Sequence, residues 1–172
     1  YAPEHVPADD RDLRIEAMLE DAVEQGEIQL VYQPKFAVAD RSILGAEALA
    51  RWRSGELGQV SPAEFIAVAE RSGHIDRLTW SAVNTVLEAT LRLRRAGLDV
   101  PMAVNVSATC LRNEDFVERI CNALALWSVP AGTLTVEVTE SAVMDEPETV
   151  LRVLGTLRDA GARIAIDDFG TG

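Results

Sequence analysis

The chain has 172 residues, 48% of them apolar, which is enough for one domain with a substantial core but short of the roughly 250 residues of a complete eight-stranded parallel barrel. Its formal net charge of −12 argues against binding a nucleic-acid polymer or an anionic membrane, since neutralising phosphates takes clustered Lys and Arg; a small phosphate ligand met by one local Arg and metal ions stays open. No apolar run approaches the ~18 residues of a membrane span and the polar start does not read as a signal peptide, so the expected setting is the cytoplasm without membrane contact.

Residues 1–10 carry two prolines and several charges and read as a linker following an upstream domain, with one domain over residues 11–172. From Arg11 a helix with Leu13, Ala17 and Leu19 on its apolar stripe runs to Gly26. Residues 29–36 and 43–52 read as strands joined around Asp40 and Arg41, a connection too short for a helix, so they must pair antiparallel. In the second strand Glu47, Leu49 and Arg51 share one face, and Ala46, Ala48, Ala50 and Trp52 share the other. A Glu and an Arg spaced this way usually mark a solvated edge, but the apolar neighbours favour a buried, paired role.

Ser61, Pro62 and Glu64 form a capping-box pattern that opens a helix ending at Gly73. A long amphipathic helix over residues 75–95 ends at Gly97, with Arg92, Arg94 and Arg95 favourably placed in its last turn against the helix dipole. Strand 102–106, helix 113–127, strand 134–138, helix 147–160 and strand 163–167 follow, which brings the expected strand count to five. Cys110 and Cys121, on what reads as a loop and the helix after it, fit no zinc spacing or disulfide framework and suit a reducing compartment.

The strand ends carry the chemistry. Asn105 and Glu137 are 32 positions apart, and Glu137 and Asp167 are 30 apart, the length of one strand, crossover helix and return strand. Parity places Ala103, Asn105 and Ser107 on one face, with Thr135, Glu137 and Thr139, and with Ala165 and Asp167. The opposite faces, Val104 with Val106, Val136 with Val138, and Ile164 with Ile166, are apolar and suit the outside of a parallel barrel, where the helices pack. Asn105, Glu137 and Asp167 should therefore converge at the rim.

Asp167 and Asp168 are adjacent where the last strand meets a Gly-containing turn. One of them capping the next element is the simple reading of such a pair. Two carboxylates a few Å apart repel by several kcal/mol at an effective dielectric of about 20, so close approach calls for a proton or a metal ion between them. With Glu47, Asn105 and Glu137 they make an all-oxygen set that favours Mg²⁺ or Mn²⁺, with Ca²⁺ a tight, inhibitory competitor. Two ions bridged by shared carboxylates could polarise a phosphodiester and activate a water.

The motifs YQPKF, AEALARW, SPAEFIAVAE, AVNVSA, TVEVTES and AIDDFGTG, in this order, resemble the EAL domain family of bacterial cyclic di-GMP phosphodiesterases. The resemblance implies an α/β fold, a TIM-like (β/α) barrel with an antiparallel first strand, truncated here after about five strands. It implies that Glu47, Asn105, Glu137, Asp167 and Asp168 ligate two Mg²⁺ or Mn²⁺ ions, with Glu47, Asp167 and Asp168 at the catalytic centre. Gln33, Leu49 and Arg51 would line the ligand cleft, Arg51 against a phosphate, and the reaction would turn cyclic di-GMP into linear pGpG. The start of the chain resembles the linker that often joins a GGDEF diguanylate cyclase domain to an EAL domain, and family members often pair as homodimers. Arg71 stands where the family often has an acidic residue.

The family's remaining motifs, with an Asp, a Lys near the attacking water, further Glu residues and a Gln at the guanine, would lie beyond Gly172. Residues 1–172 alone should accordingly turn over little substrate and form an open half barrel, completed by further chain or by a second copy. Two functional readings follow. One is a phosphodiesterase; the other is a noncatalytic cyclic di-GMP receptor or regulatory protein-interaction module.

Overall fold

The computed structural model describes residues 8–167. Strands β1 (Ile28–Phe36) and β2 (Ile43–Ser54) form the expected antiparallel hairpin, with Gln33 opposite Glu47 and Val31 opposite Leu49. The connection closes because Asp40 Oδ1 accepts from the Ser42 backbone N–H at 3.0 Å and from its hydroxyl at 2.8 Å, while Arg41 turns the chain at a φ of 59°. A three-residue strand, β3 (Gly58–Val60), pairs antiparallel with the end of β2. It is too short to show periodicity, and it makes six strands where five were expected.

Strands β4 (Met102–Asn105), β5 (Leu134–Thr139) and β6 (Arg163–Asp167) continue the sheet in parallel, giving the order β1-β2-β4-β5-β6. Among the described residues β1 and β6 each pair on one side only, so the sheet is open. Gly45 lets β2 approach the segment leading into β4. A Cβ there would lie 2.8 Å from the Pro101 carbonyl oxygen, the atom that accepts the Ala46 N–H at 2.9 Å.

Helices α1 (Ala8–Glu24), α2 (Pro62–Ser72), α3 (Ile75–Arg95), α5 (Glu114–Leu126) and α7 (Pro147–Asp159) fall close to their expected limits; α1 begins three residues inside the stretch read as linker. Two short helices were not expected, α4 (Ala108–Arg112) after β4 and α6 (Glu140–Asp145) after β5. Each starts on a strand-end hydroxyl: Ser107 Oγ accepts from the Cys110 N–H at 3.4 Å, and Thr139 Oγ1 from the Ala142 N–H at 3.3 Å. Cys110 is thus helical and not in a loop.

The helices cover the valine face, where Val104, Val106, Val136 and Val138 are all buried. The expectation is met less well on β6, where Ile164 is half-buried and Ile166 is 48% exposed, because the outermost strand has a neighbour on one side only. Trp52 meets Phe65 edge-on at 5.9 Å between ring centroids and donates its indole N–H to Glu27 Oε2 at 3.0 Å. α1 and α2 are bridged by Arg11–Glu64 at 2.8 Å and Arg71–Asp12 at 2.6 Å, part-exposed pairs worth at most about 1 kcal/mol each. Their docking rests more on Ile15, Leu19, Phe65 and Val68, all buried in the same core and each contributing roughly 1.5–3 kcal/mol.

Gly45→Ala should lower stability by about 1–3 kcal/mol in urea unfolding, because the added methyl meets backbone that cannot yield. Gly155→Ala, in α7 with open space around a new Cβ, should instead stabilise by up to about 1 kcal/mol. Burial pushes the Cys110 thiol up to about 11, so at pH 8 Ellman's reagent should reach Cys121 slowly and Cys110 only on unfolding. Because the unfolded chain releases that proton first, the stability contributed by the buried thiol should fall as pH rises from about 9 to 11, and Cys110→Ala should flatten that part of the profile.

Candidate metal centre and ligand cleft

Strand register gathers the acids. Glu47 lies opposite Gln33 on one side and Ala103 on the other; Asn105 is two residues beyond Ala103 and opposite Glu137. Glu137 lies opposite Ala165, and Asp167 is two residues beyond that. Every step is zero or two residues, so the pleat keeps all four side chains on one face. The two-residue steps are the stagger expected of tilted barrel strands.

Carboxylate oxygens of Glu47, Glu137 and Asp167 all lie within 4.8 Å of one another. Asn105 Nδ2 donates to Glu47 Oε1 at 3.0 Å, which leaves Asn105 Oδ1 as the atom a cation could use. Four of the five ligands expected from the sequence are therefore together, and Asp168 lies outside the described residues. Glu137 is the most enclosed at 5% exposure, Glu47 is half-buried and Asp167 is exposed.

Sequence reasoning missed Lys35. Its ammonium donates to Glu137 Oε1 and stands 3.3 Å from Glu47 Oε2. Partial burial works to lower its pKa, but the hydrogen bonds and charges of Glu137 and Glu47 outweigh that and raise it, so the group stays an ammonium. A signal existed: Lys35 has the parity of Gln33 on the strand that pairs with the Glu47 strand. Its register partner is Gly45, two residues before Glu47 on β2.

Glu137 Oε2 is buried and has no hydrogen-bond partner among the described residues. An unpartnered buried carboxylate oxygen, with two more carboxylates and an amide oxygen beside it, fits a hard divalent cation. The carboxylate oxygens, all within 4.8 Å of one another, are close enough together to share one cation.

Beside the acids is a cleft of about 550 Å³ whose rim is lined by Leu49, Arg51, Asn105, Ser107, Glu137 and Thr139 and whose other walls, on the helix side of the sheet, include Ile66, Leu78, Val104 and Val106. Arg51 donates to the Ala50 carbonyl at 2.8 Å and has no acidic partner among the described residues, although the chain is strongly acidic. Gln33 faces Glu47 in register but is not part of the cleft wall. Elsewhere, His74 is half-buried at the start of α3 with Nδ1 2.9 Å from Ser72 Oγ, and Arg92 and Arg94 pair loosely with Glu88 and Asp99.

Fold and site together define an α/β domain of the barrel type with a cluster of carboxylates, suited to a hard cation, at the ends of its parallel strands. The EAL domain family model matches residues 16–172, and the chain belongs to that family. It is 41% identical over 154 residues to the probable cyclic di-GMP phosphodiesterase PdeI of Escherichia coli strain K12, covering 88% of this chain and 20% of PdeI. It is 33% identical over 150 residues to the cyclic di-GMP phosphodiesterase RocR of Pseudomonas aeruginosa, covering 87% of this chain and 38% of RocR. The solved PaMucR phosphodiesterase in complex with c-di-GMP superposes with a TM-score of 0.83 at 34% identity, over 92% of this chain and 65% of that one. The chain thus spans between a fifth and two thirds of the length of these relatives.

Glu137→Gln should weaken binding of a divalent probe such as Mn²⁺ at least tenfold, measured by titration calorimetry, with far-UV circular dichroism unchanged. Undiminished affinity would take Glu137 out of the ligand set.

Proposed function

We propose that the intact protein is a cyclic di-GMP phosphodiesterase that hydrolyses cyclic di-GMP to linear pGpG with Mg²⁺ or Mn²⁺, Ca²⁺ binding the same acids as an inhibitor. The observation that carries this reading is the buried Glu137 oxygen that has no hydrogen-bond partner among the described residues, amid the Glu47–Glu137–Asp167 cluster and next to a cleft whose Arg51 has no acidic partner among those residues. Glu47, Asn105, Glu137, Asp167 and, beyond the described residues, Asp168 would hold two cations. When bound, such ions supply Lewis-acid polarisation of a phosphodiester and a water of lowered pKa. The chain's own part is binding and orientation. Arg51 offers its guanidinium to a phosphate oxygen, Leu49 presents an apolar wall to the ligand, and Gln33 offers an amide beside Glu47.

The names of PdeI and RocR and the ligand in the PaMucR complex support the substrate. We place turnover in the intact protein and expect little from residues 1–172 alone. The free thiols of Cys110 and Cys121 suit the cytoplasm, and none of the described helices is long and apolar enough to cross a membrane. An upstream GGDEF domain and a homodimer belong to the same proposal; a Vibrio cholerae LapD S helix-GGDEF-EAL chain, which shares the fold, supports the first. A second reading, a noncatalytic cyclic di-GMP receptor, draws on Lys35, a cation already seated against two of the acids.

Incubating the intact protein with cyclic di-GMP and Mn²⁺ should release pGpG, and Glu47→Ala should cut the rate more than tenfold. Binding of cyclic di-GMP without product would favour the receptor. Neither binding nor cleavage would discard both readings.

A further inference from the structure

The cation against Glu47 and Glu137 in this structure belongs to the protein itself. Lys35 lies on β1, 102 residues from Glu137 and three places from β5 in the sheet order, yet its ammonium meets Glu137. Its side chain is 44% exposed, whereas the Glu137 side chain is 7% exposed. The lysine side chain is therefore open to solvent, while the carboxylate it meets is enclosed.

We propose that Lys35 is a tethered competitor for the metal centre: its ammonium draws Glu47 and Glu137 together when no divalent ion is bound and has to be displaced before one can use the same oxygens. The argument is one of shared atoms. The ammonium uses Glu137 Oε1 and Glu47 Oε2, and carboxylate oxygens of these two residues with Asp167 form the candidate ligand cluster. Two cations seated on one small group of oxygens repel strongly where the dielectric is low. Displacement is feasible because the lysine side chain is part-exposed and long enough to turn its head to water. The benefit to the fold is that the Glu137 charge keeps a partner in the absence of metal, and the consequence for binding is that metal affinity is a difference between two cations. If Lys35 instead supported a bound metal from behind the ligands, its removal would weaken binding, so the two roles predict opposite signs.

This inference rests on the reading of the acids as a cation centre, and the test separates the two. Mn²⁺ affinity of the intact protein is measured by titration calorimetry for the wild type, Lys35→Met and Lys35→Gln. Both variants should bind Mn²⁺ about tenfold more tightly, the scale of losing competition from two partly exposed ion pairs. Each should also melt earlier than the wild type without metal and gain more in melting temperature on adding Mn²⁺. Equal or weaker binding by the variants overturns the assignment of Lys35 and leaves the metal centre standing. Absence of Mn²⁺ binding in all three proteins overturns the centre and this inference with it. A measurement on the wild type alone avoids dependence on variant folding: saturating Mg²⁺ should increase acetylation of Lys35 by acetic anhydride, read by peptide mass spectrometry. Unchanged or reduced labelling contradicts displacement.

Discussion

A single buried carboxylate organises this domain. Glu137 sits on β5, between β4 and β6 in the middle of the parallel run, with almost all of its surface removed from water. Enclosing an ionised carboxylate costs several kcal/mol after relaxation unless a positive partner is present. Lys35 meets that need from the far side of the hairpin, and Asn105 and Glu47 surround it with further polar atoms. One of its oxygens has no hydrogen-bond partner among the described residues, which suits the site to a cation.

The sheet makes this arrangement sustainable by separating two environments across one layer of backbone. Val104, Val106, Val136 and Val138 face the helices and supply apolar burial, while Asn105, Glu137 and Asp167 face the other way. The same alternation that builds the core therefore also aims the ligands, so site and stability share one register. A slip of one residue between β4 and β5 would turn Glu137 into the helix layer and Val136 or Val138 into the site. Such a slip is strongly opposed by the burial it would lose.

Much of this was legible in the chain itself. The period-two runs around Asn105, Glu137 and Asp167 marked both the strands and their faces, and the short link around Asp40 and Arg41 required the hairpin. Elements of three to six residues were missed. β3 spans only one and a half periods of a strand pattern, and α4 and α6 are capped by Ser107 and Thr139, residues that also fit the ends of strands. The exposed Ile166 departed from expectation because its strand is outermost, a fact of pairing and not of composition.

Lys35 marks the boundary between the two kinds of information. Local alternation and spacing follow from bond geometry and chain length, so the sequence by itself determined which side chains share a face and that the acids come from successive strands. Which cation stands among them depends on the order and stagger of the strands that bring Lys35 of β1 within reach of Glu137 on β5. Those are relations between segments about a hundred positions apart, and only the tertiary structure, where packing sets their distance, could decide them.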